Sequence, residues 1–372
     1  MKFEHYLPTK IVYGRQTSYS IGEYVKHYGK RPLVVSGISS YEKSHFRKPI
    51  ERSLTDNDLE FSTYFGVQPD PIAAQVNDIV DSIQSNNNDC LVAIGGGSVI
   101  DSVKAASVGL PFGKVNHLIG KNLSDDHITL PVIAVPTTFA TGAEVTKGAI
   151  ICDELTGFKS GIRGNSLFPK LALVDPCLTE TLPLQIAIES GFDAFSHLLE
   201  TAISTRKTRF SQLYSQSLLP KLVSNMRFIK SNGLTEEVID DMSFAALLGG
   251  ISVANCGTCL PHRLQQAIGS FPEIKINHPQ GLAIVYSSWA KFVHPYVEEP
   301  LDSLCQLLGV SNFPDFIASF IHFLGLDYKL SDFGFTCADI PKILLSISGD
   351  VENDPIELDK EVVASKILNE SL

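Results

Sequence analysis

The first half of the chain repeats one pattern: a short, uniformly apolar run ended by Gly, Pro, Thr or Asp, then a stretch with helical apolar spacing. The runs are "PLVVSG" (32–37), "CLVAIGGG" (90–97), "LPVIAVPTT" (130–138) and "LALVDP" (171–176), and the helical stretches include "IAAQVNDIVDSIQSNN" and "SVIDSVKAASVGL". An apolar run without alternation fits a strand covered on both faces, as in a parallel sheet. Parallel neighbours need a long crossover, which the helical stretches supply. The alternation therefore predicts a doubly wound α/β domain with a parallel sheet.

After "LVDPCLTETLP" the texture changes. "SQLYSQSLLPKLVSNMRFIK", "EVIDDMSFAALLGGISVA" and "FPDFIASFIHFLGL" carry a helical apolar period, and strand signals become scarce. We expect an α/β domain over residues 1–183 and an all-helical domain over 184–372, a division that suits a chain of 372 residues. Neither an internal repeat nor a low-complexity tract is evident.

Charge and cysteine usage narrow the function classes. A net charge of −11 argues against a nucleic-acid partner, which requires clustered Lys and Arg. No segment offers the roughly 20 continuous apolar residues of a membrane span, and "MKFEHYLPTKIVYG" lacks the apolar core of a signal peptide. A cytoplasmic location is expected. The seven cysteines, an odd number, read as reduced thiols. Cys256 and Cys259 form one C-x-x-C, either a redox pair or half a zinc site, or two thiols on the packed face of a small-residue helix. The lack of a second C-x-x-C favours the packed reading.

Two loops carry the signs of a nucleotide site. In "CLVAIGGGSVIDSVKAAS", Gly95, Gly96 and Gly97 follow a strand and open a helix, where backbone N–H groups can face a pyrophosphate. Ser98 can cap that helix. The G-x-G-x-x-G fingerprint is absent, and a plain tight turn reads equally well. In "VPTTFATGAEVTKGAII", Thr137, Thr138, Thr141 and Gly142 occupy a second apparent strand end. Ligands of open α/β sheets sit at the carboxyl ends of strands, so two small, polar loops there favour a nucleotide. Lys159 could add a charge to the same phosphates.

The helical half carries different chemistry. In "ESGFDAFSHLLETAIS", Asp193 and His197 lie four apart on one face of an apolar helix. They are either a buried ion pair or two ligands of one ion. His262 in "LPHRLQQAIG" and His278 in the turn-like "INHPQGLAIVYSSW" add two imidazoles. One carboxylate and three imidazoles suit divalent iron or zinc with a position open to a substrate oxygen.

Taken together, "GGGSVID" (95–101), "PTTFATGAEVT" (136–146), "GFDAFSHLLE" (191–200) and the two histidine segments resemble, in order, the iron-containing (group III) alcohol dehydrogenases. The opening "LPTKIVYGRQTSYSIGEYV" and the late "FLGLDYKLSDFGFTCADIPKI" extend the resemblance over nearly the whole chain. It implies a nucleotide-binding α/β domain, a helical domain and an active-site cleft between them. It assigns Fe2+, with Zn2+ possible, to Asp193, His197, His262 and His278. Cofactor contacts fall on Gly96, Gly97, Ser98, Asp101, Thr137, Thr138, Thr141 and Lys159. It also implies a small alcohol or aldehyde as substrate, reversible hydride transfer, and a homodimer.

Two departures from the family pattern stand out. Gln266 occupies the place of a histidine that many members carry near the nicotinamide, and an amide cannot exchange a proton near neutral pH. "LVVSGISSY" has Ser36 and Gly37 where members that prefer NAD often carry an acid, and Ser39 and Ser40 could bond a phosphate. NADP(H) is therefore favoured over NAD(H). Two competing readings remain: a dehydroquinate-synthase-like cyclase or lyase acting on a phosphorylated substrate, and a non-catalytic nucleotide-binding protein. Arg263, beside His262, is a candidate for holding an anionic group. Phe139 and Trp289 are either pocket or core.

Overall fold

The structure, a computed structural model, describes residues 2–38, 41–271 and 274–372. The chain forms two compact units. One comprises residues 6–182 and 235–251; the other comprises 183–234 and 252–372 together with the segment that ends at His5.

The first unit is built on a six-stranded sheet. Its strands are β1 (Lys10–Tyr13), β2 (Pro32–Gly37), β3 (Ser62–Val67), β4 (Cys90–Gly95) and β5 (Val132–Pro136), followed after a separate hairpin by β8 (Leu171–Val174). The hairpin pairs β6 (Gly148–Asp153) with β7 (Phe158–Arg163) in antiparallel fashion. The sheet order is β1-β8-β5-β4-β2-β3, and every neighbouring pair is parallel. Helices α1 (Ile21–Val25), α2 (Arg47–Asp56), α3 (Ala73–Ser85) and α4 (Gly97–Gly109) lie between strands in the chain.

Alternate residues of each central strand feed opposite cores. Leu33, Val35, Leu91 and Ala93 join Val76, Ile79 and Val103 of α3 and α4 in one cluster. Val34, Val92, Ile133 and Val135 join Ile21, Val25, Ile50 and Leu54 of α1 and α2 in the other. Helices thus cover both faces of a parallel sheet, which is why these runs are apolar without alternation. The four expected strands are β2, β4, β5 and β8. β1 and β3 are the edge strands, with mostly half-buried or exposed residues, and β6 lies outside the sheet, paired with β7.

In the second unit the elements are helices: α5 (Leu184–Ile203), α6 (Arg209–Asn232), the end of α7 (Glu236–Cys256), α8 (Leu260–Ile268), α9 (His278–Val293), α10 (Glu298–Leu308), α11 (Phe313–Leu324), α12 (Ile340–Leu345) and α13 (Lys360–Glu370). No strand occurs here among the described residues. α9 is central, packing on α5, α8, α11 and α13, and its Trp289 is a core residue whose indole N–H donates to Asp354 Oδ2 at 2.9 Å. Phe139 is likewise fully buried.

A single cut near residue 183 does not describe the division, because the first part of α7 belongs with the α/β unit. The reason is local: Gly250 of α7 lies against Gly142, so closely that a Cβ on Gly250 would fall 2.6 Å from the Gly142 Cα. The C-x-x-C also differs from the expected single helix. α7 stops at Cys256, Gly257 turns the chain at φ +70°, and Cys259 is the N-cap residue before α8, whose second position is Pro261. Both thiols are buried and free. No single helix among the described residues is long and apolar enough to cross a membrane.

Candidate active site

α5 is buried along most of its length, and its buried apolar residues include Phe192, Phe195, Leu198 and Leu199. Asp193 and His197 share one face of it, as their spacing requires. His262 projects from the first turn of α8, and His278 is the first residue of α9. The turn expected around His278 is a capping box. The Asn277 side chain accepts from the Gln280 N–H and the Gln280 side chain accepts from the Asn277 N–H, which ends the loop and starts the helix at His278.

These four residues converge. Asp193 Oδ1 lies 3.2 Å from His278 Nε2, 3.6 Å from His197 Nε2 and 3.7 Å from His262 Nε2. His262 Nε2 and His197 Nε2 are 3.1 Å apart. Asp193 and His262 are essentially excluded from solvent, whereas the His278 side chain is 30% exposed, leaving one side of the cluster open to a ligand. Asp193, His262 and His278 offer ligand atoms within 4.8 Å of one another, a spacing suited to one metal ion.

The surroundings orient the imidazoles. Glu200 accepts from His262 Nδ1–H, with its oxygens at 2.9 and 3.0 Å, and Gln265 Oε1 accepts from His278 Nδ1–H at 2.6 Å. Each bond holds a proton on Nδ1 and turns Nε2 toward Asp193, so that Nε2 is the nitrogen free to ligate once it carries no proton. Burial alone would raise the Asp193 carboxyl, yet the adjacent His197 and His278 hold it well below the usual range. Burial pushes His197 down to about 4 despite Asp193. Burial also opposes charge on His262, but Glu200 and Asp193 outweigh it and push this imidazole up to about 9. Asp193 Oδ2 and His197 Nδ1 are buried and have no hydrogen-bond partner among the described residues. An anionic carboxylate, convergent Nε2 atoms and an orphaned carboxylate oxygen fit a divalent cation, whose charge offsets the desolvated carboxylate.

The two loops expected to meet a nucleotide lie together in the first unit. Thr137 N–H donates to Gly95 O at 3.1 Å, tying the end of β5 to the end of β4. A Cβ on Gly97 would lie 2.7 Å from Thr141 Cγ2, and one on Gly96 would lie 3.4 Å from Thr138. Gly96 precedes α4, and the first N–H groups of a helix lack partners within it, as an anion site requires. Gly37 ends β2, which pairs with β4 through Ser36 and Ile94, so it belongs to the same carboxyl edge. Ser39 and Ser40 lie outside the described residues.

Two residues expected at the phosphates make other bonds. The Asp101 carboxylate accepts from Ile150 N–H at 2.9 Å and lies 3.6 Å from Lys104 Nζ. Lys159 is buried and donates to Asp70 Oδ1 at 2.8 Å. Gln266 is buried, and its Oε1 accepts from Arg263 Nη1 at 3.3 Å, while Arg263 Nη2 donates to Thr258 Oγ1 at 2.6 Å.

Sequence reasoning passed over Glu189, Glu200, Gln265 and Lys104. Glu200 lay in view: it follows His197 by three residues on the helix face that already carried Asp193. Lys104 is fully buried inside an apparently ordinary helix, donating to Ala143 O and Thr146 Oγ1 at 3.0 Å each.

Comparison with known proteins agrees with this geometry. Family models described as "Iron-containing alcohol dehydrogenase" and "Fe-containing alcohol dehydrogenase family, C-terminal" match residues 8–176 and 187–369. A probable NADH-dependent butanol dehydrogenase 1 of Bacillus subtilis is 30% identical, over 80% of this chain and 77% of that protein. A sulfoacetaldehyde reductase of Bilophila wadsworthia is 28% identical, over 81% of this chain and 76% of its own length. The crystal structure of an NADH-dependent butanol dehydrogenase A from Thermotoga maritima superposes with a TM-score of 0.88 at 26% identity, over 100% of this chain and 98% of that one. The chain belongs to the iron-containing alcohol dehydrogenase family and is a metal-dependent, nicotinamide-linked enzyme of alcohol and aldehyde redox chemistry.

Proposed function

We propose that Asp193, His197, His262 and His278 hold one Fe2+, with Zn2+ an alternative, and that the chain interconverts a small primary alcohol and its aldehyde. The observation that carries this reading is the convergence of three Nε2 atoms on one buried carboxylate oxygen, at 3.2 to 3.7 Å. When bound, the ion supplies Lewis acidity at the substrate oxygen and the nicotinamide accepts or delivers the hydride. Asp193 contributes the negative charge that retains a divalent ion. Glu200 and Gln265 keep two of the imidazoles in the binding tautomer. The exposed side of His278 is where a substrate oxygen can approach.

Gly37, Gly95, Gly96, Gly97, Ser98, Asp101, Thr137, Thr138, Thr141 and Lys159 form the proposed dinucleotide site. Backbone N–H groups at the start of α4 meet the pyrophosphate, and Asp101 and Lys159 act through the hairpin and loop they brace. NADP(H) is the proposed cofactor, because Gly37 brings no acid to repel a 2′-phosphate. The competing reading is NAD(H), favoured by the names of the butanol dehydrogenase relatives. Gln266 can orient a bound group through its amide but cannot relay a proton, so proton exchange falls to water. The proposed assembly is a homodimer in the cytoplasm.

The test is reduction of a panel of short aldehydes, neutral and anionic, by anaerobically iron-loaded protein with NADPH or NADH. Chelator-sensitive turnover that prefers NADPH is expected, and Asp193→Ala should lose both metal and turnover while still binding dinucleotide. Full metal occupancy in Asp193→Ala would refute the ligand assignment, and a preference for NADH would refute the reading of Gly37.

A further inference from the structure

Four acidic or imidazole side chains line one face of α5: Glu189, Asp193, His197 and Glu200. Their spacings of four, four and three residues keep them in a single stripe, and none is more than 5% exposed. The inner two are the proposed ligands. The outer two reach the helices that carry the remaining ligands.

Glu200 makes two kinds of contact at the start of α8. Its carboxylate accepts from His262 Nδ1–H, and its Oε2 also accepts from Cys259 N–H at 2.7 Å. One side chain thus fixes both the ring and the backbone turn from which the ring projects. Glu189 does the equivalent at the start of α9 without touching the imidazole. Its Oε2 accepts from Asn277 Nδ2 at 3.0 Å, and its Oε1 accepts from Gln280 Nε2 at 3.3 Å. Asn277 and Gln280 are the two members of the capping box that begins the helix at His278. Gln185, one turn earlier, donates to Glu189 Oε1 at 3.0 Å and aims the carboxylate.

We infer that Glu189 and Glu200 are positioning residues for the metal centre, with α5 supplying two ligands and anchoring the two helices that supply the others. A carboxylate behind a ligating imidazole raises its basicity and fixes its orientation, and such partners typically govern about 10–100-fold of metal affinity. The arrangement distinguishes the two: Glu200 acts on the ring and the turn, Glu189 on the turn alone. Loss of Glu200 should therefore weaken metal binding more. The inference rests on the ligand assignment proposed above.

The experiment uses the full-length chain stripped of metal, with Zn2+ as the probe and affinity read by competition against a chelator. Wild type, Glu200→Gln, Glu200→Ala, Glu189→Gln and Asp193→Ala are compared, together with thermal melting of each metal-free protein. Affinity should fall about 10–100-fold in Glu200→Gln, further in Glu200→Ala and less in Glu189→Gln. Melting of the metal-free proteins should stay close to wild type. A purely structural role would give the opposite pattern, with lowered melting and wild-type affinity, and would overturn the inference. If Asp193→Ala loses Zn2+ while both glutamate variants retain it, this inference alone fails. If Asp193→Ala also retains it, the ligand assignment fails. Should Glu200→Gln not fold, Glu189→Gln decides.

Discussion

Gly250→Ala separates two physical effects of opposite sign. In a helix interior, Ala is favoured over Gly by about 1 kcal/mol, so intrinsic propensity predicts a more stable protein. The added Cβ, however, would lie 2.6 Å from Gly142 Cα, 2.7 Å from Gly142 O and 2.9 Å from Val145 Cγ2. The two closest atoms are backbone, and Gly142 itself holds φ +62°, so relief requires the loop or the helix to move. Overpacking of this kind costs roughly 1–3 kcal/mol. Because no flexible side-chain end can yield, we place it at the upper limit, for a net loss of about 2 kcal/mol. The moving loop carries Thr138 and Thr141, the proposed dinucleotide contacts, so on that proposal dinucleotide affinity should fall on the order of tenfold, the equivalent of one charged hydrogen bond. Urea unfolding and calorimetric titration with NADPH and NADH measure the two effects. A Gly250→Ala protein that is about 1 kcal/mol more stable, with unchanged dinucleotide affinity, would refute the close packing of α7 on this loop.

Glu144 in the same loop gives a pH-dependent signature. Burial raises its carboxyl from 4.5 to about 7, against the pull of Lys104. The folded state retains a proton that the unfolded chain releases above its own pKa. Stability is therefore greatest below the unfolded value and declines as pH rises through about 7, by about 3 kcal/mol in total. In Glu144→Gln this component of the decline should vanish, as read from urea midpoints between roughly pH 4.5 and 8; equal slopes in the two proteins would exonerate Glu144. Thiol chemistry gives a second check: Cys337 is exposed and the other six cysteines are buried. Burial pushes the Cys259 thiol well above its ordinary value, so a disulfide reagent should label one thiol quickly in native protein and none in Cys337→Ser. Fast labelling at Cys256 or Cys259 would contradict the packed C-x-x-C.

What the sequence disclosed follows burial. β2, β4, β5 and β8 sit inside the sheet and read as apolar runs, whereas β1 and β3 border it with half-exposed residues and the short β6–β7 hairpin stands apart from it. Asp193 and His197 were legible because polar groups on an otherwise apolar helix face stand out. His262 and His278 were candidates by chemistry, but nothing in their spacing stated that four side chains would meet. Glu189 and Glu200 share that helix face, but acidic residues on helices are ordinary, and only tertiary contacts reveal what these two hold. The Gly142–Gly250 contact joins positions more than a hundred residues apart, and no local pattern announces it. Lys159 and Asp101 were noticed for their charge; the bonds they make to Asp70 and to the Ile150 N–H are tertiary and not revealed by sequence order.

The split membership of α7 also constrains how the protein is made. A chain emerging from the ribosome completes β8 and then continues into α5 and α6 before it reaches the residues that cover Gly142. The α/β unit is therefore finished only after much of the helical unit's first sequence has been synthesised, at about 5–20 residues per second. A polypeptide released at Leu182 would contain every strand of the sheet and still lack the segment 235–251 that completes the unit. The sequences of the two units are thus interleaved in the order of synthesis.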